Sequence, residues 1–575
     1  MGGSLAPRQT ALEKIRRRPE VSVLIVGGGI NGAGLFRDLA LQGVDVLLVD
    51  KSDFCSGASA APSRMIHGGL RYLEFGEFRL VRESLNDRNL LLQNAAHYVR
   101  PLPTAIPIFS WFSGAVSCVR RFLHLGGGRP AHRGAMMVKT GLTFYDIFTH
   151  GNRMMPRHKF TSRAESLARR PLLSSNLIRT ATYYDASITY PERLCVEQLI
   201  DGEEFCPEAT AINYLSLQGG SGSTVSLRDE LSGDLLEVRP EVLVNATGAW
   251  IDLANRALGH QTRMISGTKG AHLVVDNDDL MKTLRGEMIY YETSDGRVAV
   301  ALPWLGKALV GSTDIRVDDP DEVRCEEDEI DYILGAIREV MPGLQIDRSQ
   351  IVSTFSGVRP LRYGGEGATV QLSRDHHCAV VEPGNEIHFP VYCLIGGKWT
   401  TFRVFAGQVT DRLMEHFGRT RRAGTEDLPI GGGKDFPNSD EAQREWLGRL
   451  HQQTRLPEDR LRVLLDRYGT RAEQVAALLA DGSDRPLEHH VGYSRGEIEF
   501  IIEHEGVAHL DDLLLRRTAI ALLGELTGEL LAEIADILGG LRRLSDQQIA
   551  EEIDRTREIL RDKHRIDTPH QRKSS

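Results

Sequence analysis

The sequence of 575 residues lacks any run of 18 or more solidly apolar residues, so it predicts no transmembrane helix. It also lacks a Cys-x-x-Cys pair, which argues against a zinc site or a disulfide framework and favours the reduced thiols of a cytoplasmic protein. A net charge of −10 argues against extensive nucleic-acid binding. The N-terminus is polar and basic, without the apolar core of a secretory signal, and we expect residues 1–19 to form a short tail. The cysteines are Cys55, Cys118, Cys195, Cys206, Cys325, Cys378 and Cys393.

Residues 101–119 contain no charged side chain, and Phe109, Trp111 and Phe112 lie within them. Three prolines in the first half exclude a regular spanning helix there. Two interpretations remain open. The segment is a strand followed by a core helix, or it is a surface that enters one membrane leaflet beside basic residues that face anionic headgroups. Those basic residues are Arg120, Arg121, Arg129 and Arg133.

The first part of the chain has the pattern of a βαβ unit. Residues 21–26 form an apolar strand, a glycine loop follows, residues 33–41 resemble a helix, and residues 44–49 form a second strand that ends at Asp50. A third strand of this kind covers residues 242–245. Strand-like segments lie between these units and again from about 263 to 350, which suggests a second, sheet-based domain inserted into the first.

After residue 433 the chain becomes rich in Leu, Ala, Glu and Arg at helical spacing, and Ser545 and Gln548 form a capping box. We therefore expect an α/β protein with an interleaved substrate domain and an α-helical C-terminal domain, to which we assign no chemistry. The expected boundaries are 20–429 for the cofactor domain (about 20–98, 186–262 and 351–429), about 99–185 and 263–350 for the substrate domain, 430–565 for the helical domain, and 566–575 for a tail.

The glycine loop indicates a dinucleotide. In Gly27-x-Gly29-x-x-Gly32 the first glycine permits a tight turn, the second lets a pyrophosphate approach, and the third lets helix and strand pack closely. The phosphates then lie at a helix N-terminus. Asp50 is placed to accept hydrogen bonds from the ribose of the adenosine. Three further glycine-rich stretches, at residues 63–69, 245–250 and 395–401, favour an elongated cofactor such as FAD over a mobile nicotinamide.

Several motifs then resemble one family. GGGINGAG, SRMIHGGLRYLEFGEFRLVRESL, NATGAWID, GTKGAHLVV, LVGSTD, SGVRPL, SRDH and IGGKWTTFR occur in this order, from about residue 20 to 405. They are similar to FAD-dependent glycerol-3-phosphate dehydrogenase, within the glutathione-reductase-type, D-amino-acid-oxidase-like flavoproteins. Residues 511–518 resemble the family's C-terminal segment.

The resemblance implies a set of cofactor-binding residues along the glycine-rich stretches. They are Gly27, Gly29, Ile30, Asn31, Gly32, Asp50, Lys51, Ser59, Ser63, Arg64, His67, Gly68, Gly69, Ala246, Thr247, Gly248, Trp250, Gly396, Gly397, Lys398, Trp399 and Thr400.

The resemblance also implies a substrate site for a phosphate dianion, which arginine suits through charge-assisted bidentate hydrogen bonds. It selects Arg71, Arg359, Arg374 and Lys398, with Tyr72 as a further hydrogen-bond donor. The alternative for each basic residue is a structural ion pair with a carboxylate.

The implied reaction is transfer of the C2 hydrogen of glycerol-3-phosphate, as hydride, to the flavin N5, which gives dihydroxyacetone phosphate. The base is a histidine, either His272 or His67, and the resemblance favours His272. Arg359 stays protonated and therefore has an electrostatic role. Lys398 stabilises negative charge on the flavin. We predict no metal at His376, His377 and Cys378, which have no second ligand cluster at metal spacing. Thr313 and Asp314 match a family motif, without an evident role.

The electron acceptor stays open. The uncharged segment 101–119 favours a quinone and a peripheral position on the cytoplasmic face of the membrane, and a homodimer is possible. The alternatives are an oxidase that uses oxygen, a related FAD enzyme for another small anionic substrate such as an amino acid or 2-hydroxy acid, and a flavin-binding sensor or assembly protein without turnover.

Overall fold

The structure is a computed structural model that describes residues 4–70, 72, 77–111, 134–148, 154–364, 375–480, 482 and 484–568. Within these ranges, none of the helices combines the length and apolar character that a membrane crossing requires. The uncharged segment is described only in its first part, where residues 101–108 lie in a strand. Residues 112–119 and the four arginines after them lie outside the described residues.

The strands, in chain order, are β1 (Glu20–Val26), β2 (Val46–Val49), β3 (Met65–Ile66), β4 (Val99–Ile108), β5 (Lys159–Ser162), β6 (Arg179–Ile188), β7 (Thr210–Ile212), β8 (Leu215–Ser221), β9 (Thr224–Asp229), β10 (Leu235–Asn245), β11 (Ile265–Val275), β12 (Met288–Glu292), β13 (Val298–Trp304), β14 (Lys307–Gly311), β15 (Ile315–Arg316), β16 (Ile351–Arg362), β17 (His377–Val381) and β18 (Val391–Ile395).

The α-helices are α1 (Arg8–Arg17), α2 (Ile30–Leu41), α3 (Phe78–Asn94), α4 (Ala135–Phe148), α5 (Arg163–Arg169), α6 (Pro191–Phe205), α7 (Ile251–Ala257), α8 (Asp278–Leu284), α9 (Glu327–Val340), α10 (Phe402–His416), α11 (Asp440–Thr454), α12 (Glu458–Tyr468), α13 (Ala472–Leu479), α14 (Arg495–His504), α15 (Gly528–Arg542) and α16 (Asp546–His564).

The first sheet has eight strands, with β17, β18, β10, β1, β2 and β7 in that order and the β8–β9 hairpin paired to β10. β1 lies parallel to both β10 and β2. It is buried from Val23 to Val26 because α2, α6 and α10 cover one face, and α1, α7 and the hairpin cover the other. A parallel strand covered on both faces needs the continuous apolar run that the sequence shows.

The second sheet has ten strands in the order β15, β11, β14, β13, β12, β4, β6 and β3, with β16 paired to β11 and β5 to β6. Strand alternation gives β11 two different faces. Ala271 and Leu273 pack against α8 and α9, whereas Val274 packs on the side of the C-terminal helices. His272 has the same parity as Val274 and therefore lies on that second side.

Two segments differ from the sequence-based expectation. Residues 8–17, expected in a tail, form α1, because Ala11, Leu12 and Ile15 make one apolar side that is buried against the first sheet. Residues 351–362 were expected in the cofactor domain, but β16 pairs with β11 along the second sheet. The six helices α11–α16 form the C-terminal part of the chain, and the capping box at Ser545 and Gln548 is present at the start of α16.

Candidate active site

A cleft of about 820 Å³ runs between the two sheets. This volume lies within the range of roughly 300–1,000 Å³ typical of ligand sites. It is lined by the glycine loop after β1, by the segment from Ser56 to Met65, by residues 355–361 of β16, by the turns that follow β10 and β18, and by part of the C-terminal helices. Residues that are far apart in sequence therefore meet along one elongated surface.

The glycine loop turns from β1 into α2 as the sequence predicts. Gly27 N–H donates to the carbonyl of Val49 at 2.7 Å, and Ile30 N–H donates to Ser59 Oγ at 3.0 Å. A Cβ atom on Gly32 would lie 1.9 Å from the Gly27 carbonyl oxygen, so only glycine permits this approach of helix to loop. The N-terminus of α2, where partial positive charge accumulates, thus faces the cleft.

Asp50 lies at the end of β2, lines the cleft and binds the backbone of the glycine loop. Its Oδ2 accepts from Gly28 N–H at 2.7 Å and its Oδ1 accepts from Ser52 N–H at 2.9 Å. Burial raises the pKa of this carboxyl group to about 6, although both backbone hydrogen bonds favour the charged form. The carboxylate is held at the cleft wall and retains lone pairs for a further donor.

Lys51 and Trp250 lie at the same end, and both contact Asp321. The Lys51 ammonium lies 2.7 Å from Asp321 Oδ1 and 4.5 Å from the centre of the Trp250 ring, and Trp250 Nε1 donates to Asp321 at 2.9 Å. Asp321 comes from the loop between β15 and α9. A loop of the second sheet therefore reaches the cofactor-loop side of the cleft.

The opposite end is formed by the turn after β18. Asn31 Nδ2 donates to the Gly396 carbonyl at 3.1 Å, Trp399 Nε1 donates to the Ser59 carbonyl at 3.0 Å, and His67 N–H donates to Thr400 Oγ1 at 3.1 Å. These contacts connect three of the predicted glycine-rich stretches directly.

These residues fit an elongated dinucleotide. The cleft reaches from Asp50 to His67, with a helix N-terminus between them for an anion. The buried Oδ1 of Asn31, at the start of α2, has no hydrogen-bond partner among the described residues, which suits a ligand donor. The residues present therefore fit FAD.

His272 lies at the wall near His67. Its Nε2 is 2.8 Å from Ser63 Oγ, and its ring stacks on Phe355 at 5.2 Å between centroids. Burial, followed by the cations of Arg359 and Arg64, lowers the pKa of His272 to about 3. The imidazole is therefore neutral at pH 7.

Two cationic side chains, Arg359 and Lys398, line the cleft. Arg359 donates to Ser312 Oγ at 3.0 Å and to the Thr313 carbonyl at 3.2 Å, and its guanidinium lies 3.6 Å from Asp314. This gives the residues 312–314 a physical role that the sequence did not provide, because they orient the Arg359 guanidinium.

Lys398 follows the glycines of the β18 turn. Its ammonium donates to Ser84 Oγ at 2.8 Å and lies 4.5 Å from the centre of the Tyr72 ring. Ser84 is a fully buried residue of α3. The ammonium position is thus defined by a hydroxyl on one side and an aromatic face on the other.

Comparison with known proteins places this site in a family. Residues 22–379 match the family described as FAD dependent oxidoreductase, and residues 423–549 match the C-terminal domain of alpha-glycerophosphate oxidase. A glycerol-3-phosphate dehydrogenase of Synechocystis sp. is 32% identical over 540 residues, which cover 88% of this chain and 91% of that relative. The chain belongs to the FAD-dependent glycerol-3-phosphate dehydrogenase family.

Two further relatives extend the comparison. A D-erythritol 1-phosphate dehydrogenase of Brucella abortus is 29% identical over 513 residues, 86% of this chain and 93% of that protein. The crystal structure of the glycerol-3-phosphate dehydrogenase from Bacillus halodurans, complexed with FAD, covers 97% of this chain and 98% of its own, with a TM-score of 0.73 and 20% identity. The predictions of the family, of the α/β fold with a helical C-terminal region, of an oxidoreductase and of FAD are confirmed.

Most residues predicted for the site of this dehydrogenase family line the cleft. They are Gly27, Gly29, Ile30, Asn31, Asp50, Lys51, Ser59, Ser63, His67, Tyr72, Ala246, Thr247, Gly248, Trp250, His272, Arg359, Gly396, Gly397, Lys398, Trp399 and Thr400.

The remaining predicted residues lie elsewhere. Gly32, Gly68 and Gly69 are not among the residues that line the cleft. Arg64 is buried, pairs with Glu192 at 3.0 Å and lies 4.1 Å from the centre of the Trp304 ring, so its guanidinium does not reach the cleft. Arg71 and Arg374 lie outside the described residues.

The C-terminal helical domain, to which the sequence assigned no chemistry, contributes to the cleft of this dehydrogenase family member. Asp511, Arg516, Arg555, Lys563 and His564 are among the lining residues. The segment 511–518, singled out by resemblance alone, was the available signal for this contact.

A buried ion cluster joins this domain to the cofactor loop. Asp53, three residues after Asp50, is fully buried and receives Arg516 Nε at 2.5 Å and both terminal nitrogens of Arg517 at 2.8 Å. Such a bidentate pair fixes orientation as well as charge. The wall of the cofactor site is therefore completed by the end of the chain.

Among the residues that the structure describes, Glu83, Asp375 and His376 approach one another closely enough to hold an ion. Arg79 already donates to both carboxylates. Because the Arg79 guanidinium already pairs with Glu83 and Asp375, these residues form an ion-pair cluster.

Proposed function

We propose that this chain oxidises the C2 hydroxyl of sn-glycerol-3-phosphate to the ketone of dihydroxyacetone phosphate, and passes the electrons to a membrane quinone. The observation that carries the proposal is that Arg359, Lys398, Tyr72 and a neutral His272 all line the cofactor cleft. This set combines charges for a phosphate dianion with a base for an alcohol proton. The proposal agrees with the names of the relatives.

FAD supplies the chemistry that no side chain possesses, because its N5 accepts a hydride when the cofactor is bound. The protein's part is to hold the substrate and to manage charge and protons. Arg359 and Lys398 bind the phosphate or the developing alkoxide, and each is already oriented, by Ser312 and by Ser84 respectively. Orientation before binding lowers the entropy that must be lost in the transition state.

His272 takes the C2 hydroxyl proton at Nε2, the ring atom that reaches Ser63 at the cleft wall. Its low pKa keeps the imidazole unprotonated at pH 7, and the nearby Arg359 is, after burial, one cause of that low value. A phosphate dianion beside Arg359 offsets this cation, so substrate binding itself raises the basicity of His272. His67, the other candidate base, is held at the cleft by its backbone N–H, which donates to Thr400 Oγ1, and its ring lies 6.3 Å from the Tyr72 ring between centroids.

The quinone assignment is supported by an exposed apolar face on α4. Met136, Phe144 and Ile147 are 52%, 47% and 59% exposed. Trp111, whose carbonyl accepts from the Met136 N–H at 3.2 Å, and Met154, six residues after the helix, are also exposed. Exposed apolar side chains on a helix that follows a basic segment in the sequence suit a protein bound peripherally to an anionic membrane.

The test is reduction of the FAD-loaded protein without oxygen. Addition of glycerol-3-phosphate should abolish the visible absorbance of the flavin, with one equivalent of dihydroxyacetone phosphate formed per FAD. A flavin that stays oxidised would contradict the proposal and favour a sensor or assembly role. Glycerol without phosphate is the control for the anionic group.

Reoxidation then identifies the acceptor. A quinone analogue should restore the flavin absorbance far faster than air. The reverse order, with hydrogen peroxide as product, would assign the oxidase activity instead.

A second substrate is favoured by one observation, the similarity to the D-erythritol 1-phosphate dehydrogenase at 29% identity. Both substrates carry a phosphate and at least one secondary hydroxyl. Anaerobic reduction of the flavin by each of the two compounds decides between them. The substrate is the compound with the larger ratio of reduction rate constant to dissociation constant. Amino acids and 2-hydroxy acids serve as the comparison for carboxylate substrates.

A further inference from the structure

A buried cluster lies behind the stretch that carries His67 and Tyr72. The backbone N–H of Gly68 points at Asp185 Oδ1 and Tyr145 Oη, both at 3.1 Å. A Cβ atom on Gly68 would lie 2.3 Å from Leu85 Cδ2 and 2.4 Å from Tyr145 Oη. Glycine at this position therefore allows the cluster to reach the backbone itself.

Arg88 completes the cluster. One of its terminal nitrogens donates to Asp185 Oδ1 and to Tyr145 Oη at 3.1 Å each, and to the Tyr184 carbonyl at 3.2 Å. Tyr145 in turn donates to Asp185. The three side chains are between 1% and 3% exposed, so their geometry is set by one another and by Gly68 rather than by water.

Burial shifts the pKa values of both acidic groups of the cluster in the same direction. Burial raises the pKa of Asp185, opposed by Arg88, and burial raises the pKa of Tyr145 further above its usual range. Tyr145 therefore keeps its proton and acts as a donor to the carboxylate. Buried networks of this kind stabilise one arrangement only when every member is satisfied.

The cluster draws on three separate elements. Arg88 lies on α3, Tyr145 on α4 and Asp185 on β6. The residues on either side of Gly68 belong to the cleft. The backbone N–H of His67 donates to Thr400 Oγ1. The backbone N–H of Tyr72 donates to the Gly69 carbonyl at 2.8 Å, and the Tyr72 ring lies beneath the Lys398 ammonium. A displacement of Gly68 would therefore move two residues that line the cleft, His67 and Tyr72.

We propose that Tyr145 and Asp185, aligned by Arg88, are positioning residues that hold Gly68 and thereby set His67 and Tyr72 against the cofactor and the substrate. The inference rests on the proposed function for its kinetic consequence and on the hydrogen bonds of Gly68 for its structural one. None of the three side chains lines the cleft, so they act through the backbone.

The test compares Tyr145→Phe with Tyr291→Phe in FAD-loaded protein. Both changes remove only a hydroxyl from a fully or almost fully buried ring, and the Tyr291 hydroxyl has no hydrogen-bond partner within the described ranges. Tyr145→Phe should lower kcat about tenfold, which corresponds to ~1.4 kcal/mol. Tyr291→Phe should leave kcat unchanged. Asp185→Asn, which also weakens the Arg88 pair, should lower kcat further.

The deciding readout is the kinetic isotope effect on kcat with C2-deuterated glycerol-3-phosphate. It should increase in Tyr145→Phe, because a misplaced loop slows the hydrogen-transfer step specifically. A lower Tm with unchanged kcat and unchanged isotope effect would overturn the proposal and leave the cluster as a stabilising element.

A second readout does not require turnover. The visible circular dichroism of the bound flavin should differ from wild type in Tyr145→Phe and not in Tyr291→Phe. If wild-type protein is not reduced by glycerol-3-phosphate, the proposed substrate is wrong, and this spectrum alone decides on the positioning role. If the flavin spectra of both variants are identical to that of wild type, the positioning role of Tyr145 is overturned.

Discussion

Ser63 Oγ lies 2.8 Å from His272 Nε2, and this contact joins the segment between β2 and β3 to strand β11 of the second sheet. Ser63→Ala should leave FAD content unchanged but lower kcat about fivefold, the effect of losing one hydrogen bond of about 1 kcal/mol. Steady-state kinetics with flavin quantification measures both. Ser110→Ala is the control, because its buried hydroxyl has no partner in the described part of the chain. Equal kcat in both variants would mean that Ser63 does not orient the ring.

His272→Gln should lower kcat by about 10²–10⁴, the usual contribution of a general base. It should also change the pH dependence of stability. Between pH 6.5 and about 3 the unfolded histidine binds a proton and the folded one does not, so acidification favours unfolding. At pH 5 this costs about 2 kcal/mol.

The measurement is Tm at pH 7 and pH 5 in FAD-loaded, substrate-free protein. The decrease in Tm on acidification should be smaller in His272→Gln than in wild type. His388→Gln, at an exposed position, should behave as wild type. The same decrease in all three proteins would contradict a buried neutral His272.

Arg359→Ala should lower kcat by about 10²–10³ while FAD remains bound, because the guanidinium acts on the substrate's developing charge. Arg362→Ala on the same strand is the control, since Arg362 is exposed. Rapid anaerobic reduction separates the rate of reduction from substrate affinity. Loss of flavin with unchanged substrate affinity would show that Arg359 serves the cofactor.

Asp50→Ala should weaken FAD binding tenfold to a hundredfold, the effect of losing a charge-assisted hydrogen bond of about 1.5–3 kcal/mol. Fluorescence titration of the apoprotein with FAD gives the Kd. Asp45→Ala is the matched control, because Asp45 lies just before the other end of β2 and pairs with Arg18. With saturating FAD, kcat of the Asp50 variant should approach wild type.

Replacement of Met136, Phe144 and Ile147 together by Gln should reduce binding to anionic vesicles more than tenfold, because each apolar side chain contributes more than 1 kcal/mol when buried. Co-sedimentation measures the bound fraction. Leu231→Gln with Leu235→Gln, two exposed apolar residues elsewhere, is the control. Electron transfer to a water-soluble dye should be unchanged, whereas transfer to a vesicle-embedded quinone should fall. Undiminished vesicle binding would exclude α4 as the contact face.

Contiguous patterns accounted for much of the fold. The run from β1 through Gly32 to Asp50 carries its strand, loop and helix signals within 31 residues, so the βαβ unit was predictable. α1 was missed although Ala11, Leu12 and Ile15 have helical spacing, because the many basic residues around them outweighed a short apolar stripe. Residues 351–362, which form β16, were expected in the cofactor domain, since strand pairing between distant segments leaves no local signal.

The site residues that a sequence motif assigns could be predicted, whereas partners that only the folded structure brings into contact could not. Lys398 was found, but its partner Ser84 lies 314 residues earlier, at the end of a family motif in which nothing local marks this serine as the partner of a lysine. Asp185 likewise reaches Gly68 across 117 residues. A single buried serine or aspartate has many possible partners, and only packing selects one.

The ion cluster at Asp53 has a consequence for synthesis. Arg516 follows Asp53 by 463 residues, so a ribosome that adds roughly 5–20 residues per second exposes the finished arginine roughly 20–90 s after the carboxylate. During that interval the segment next to Asp50 holds an uncompensated charge that the complete protein buries. The cofactor cleft therefore reaches its final form only after translation of the C-terminal helices, and a nascent chain released before residue 516 would lack a wall of its own FAD site.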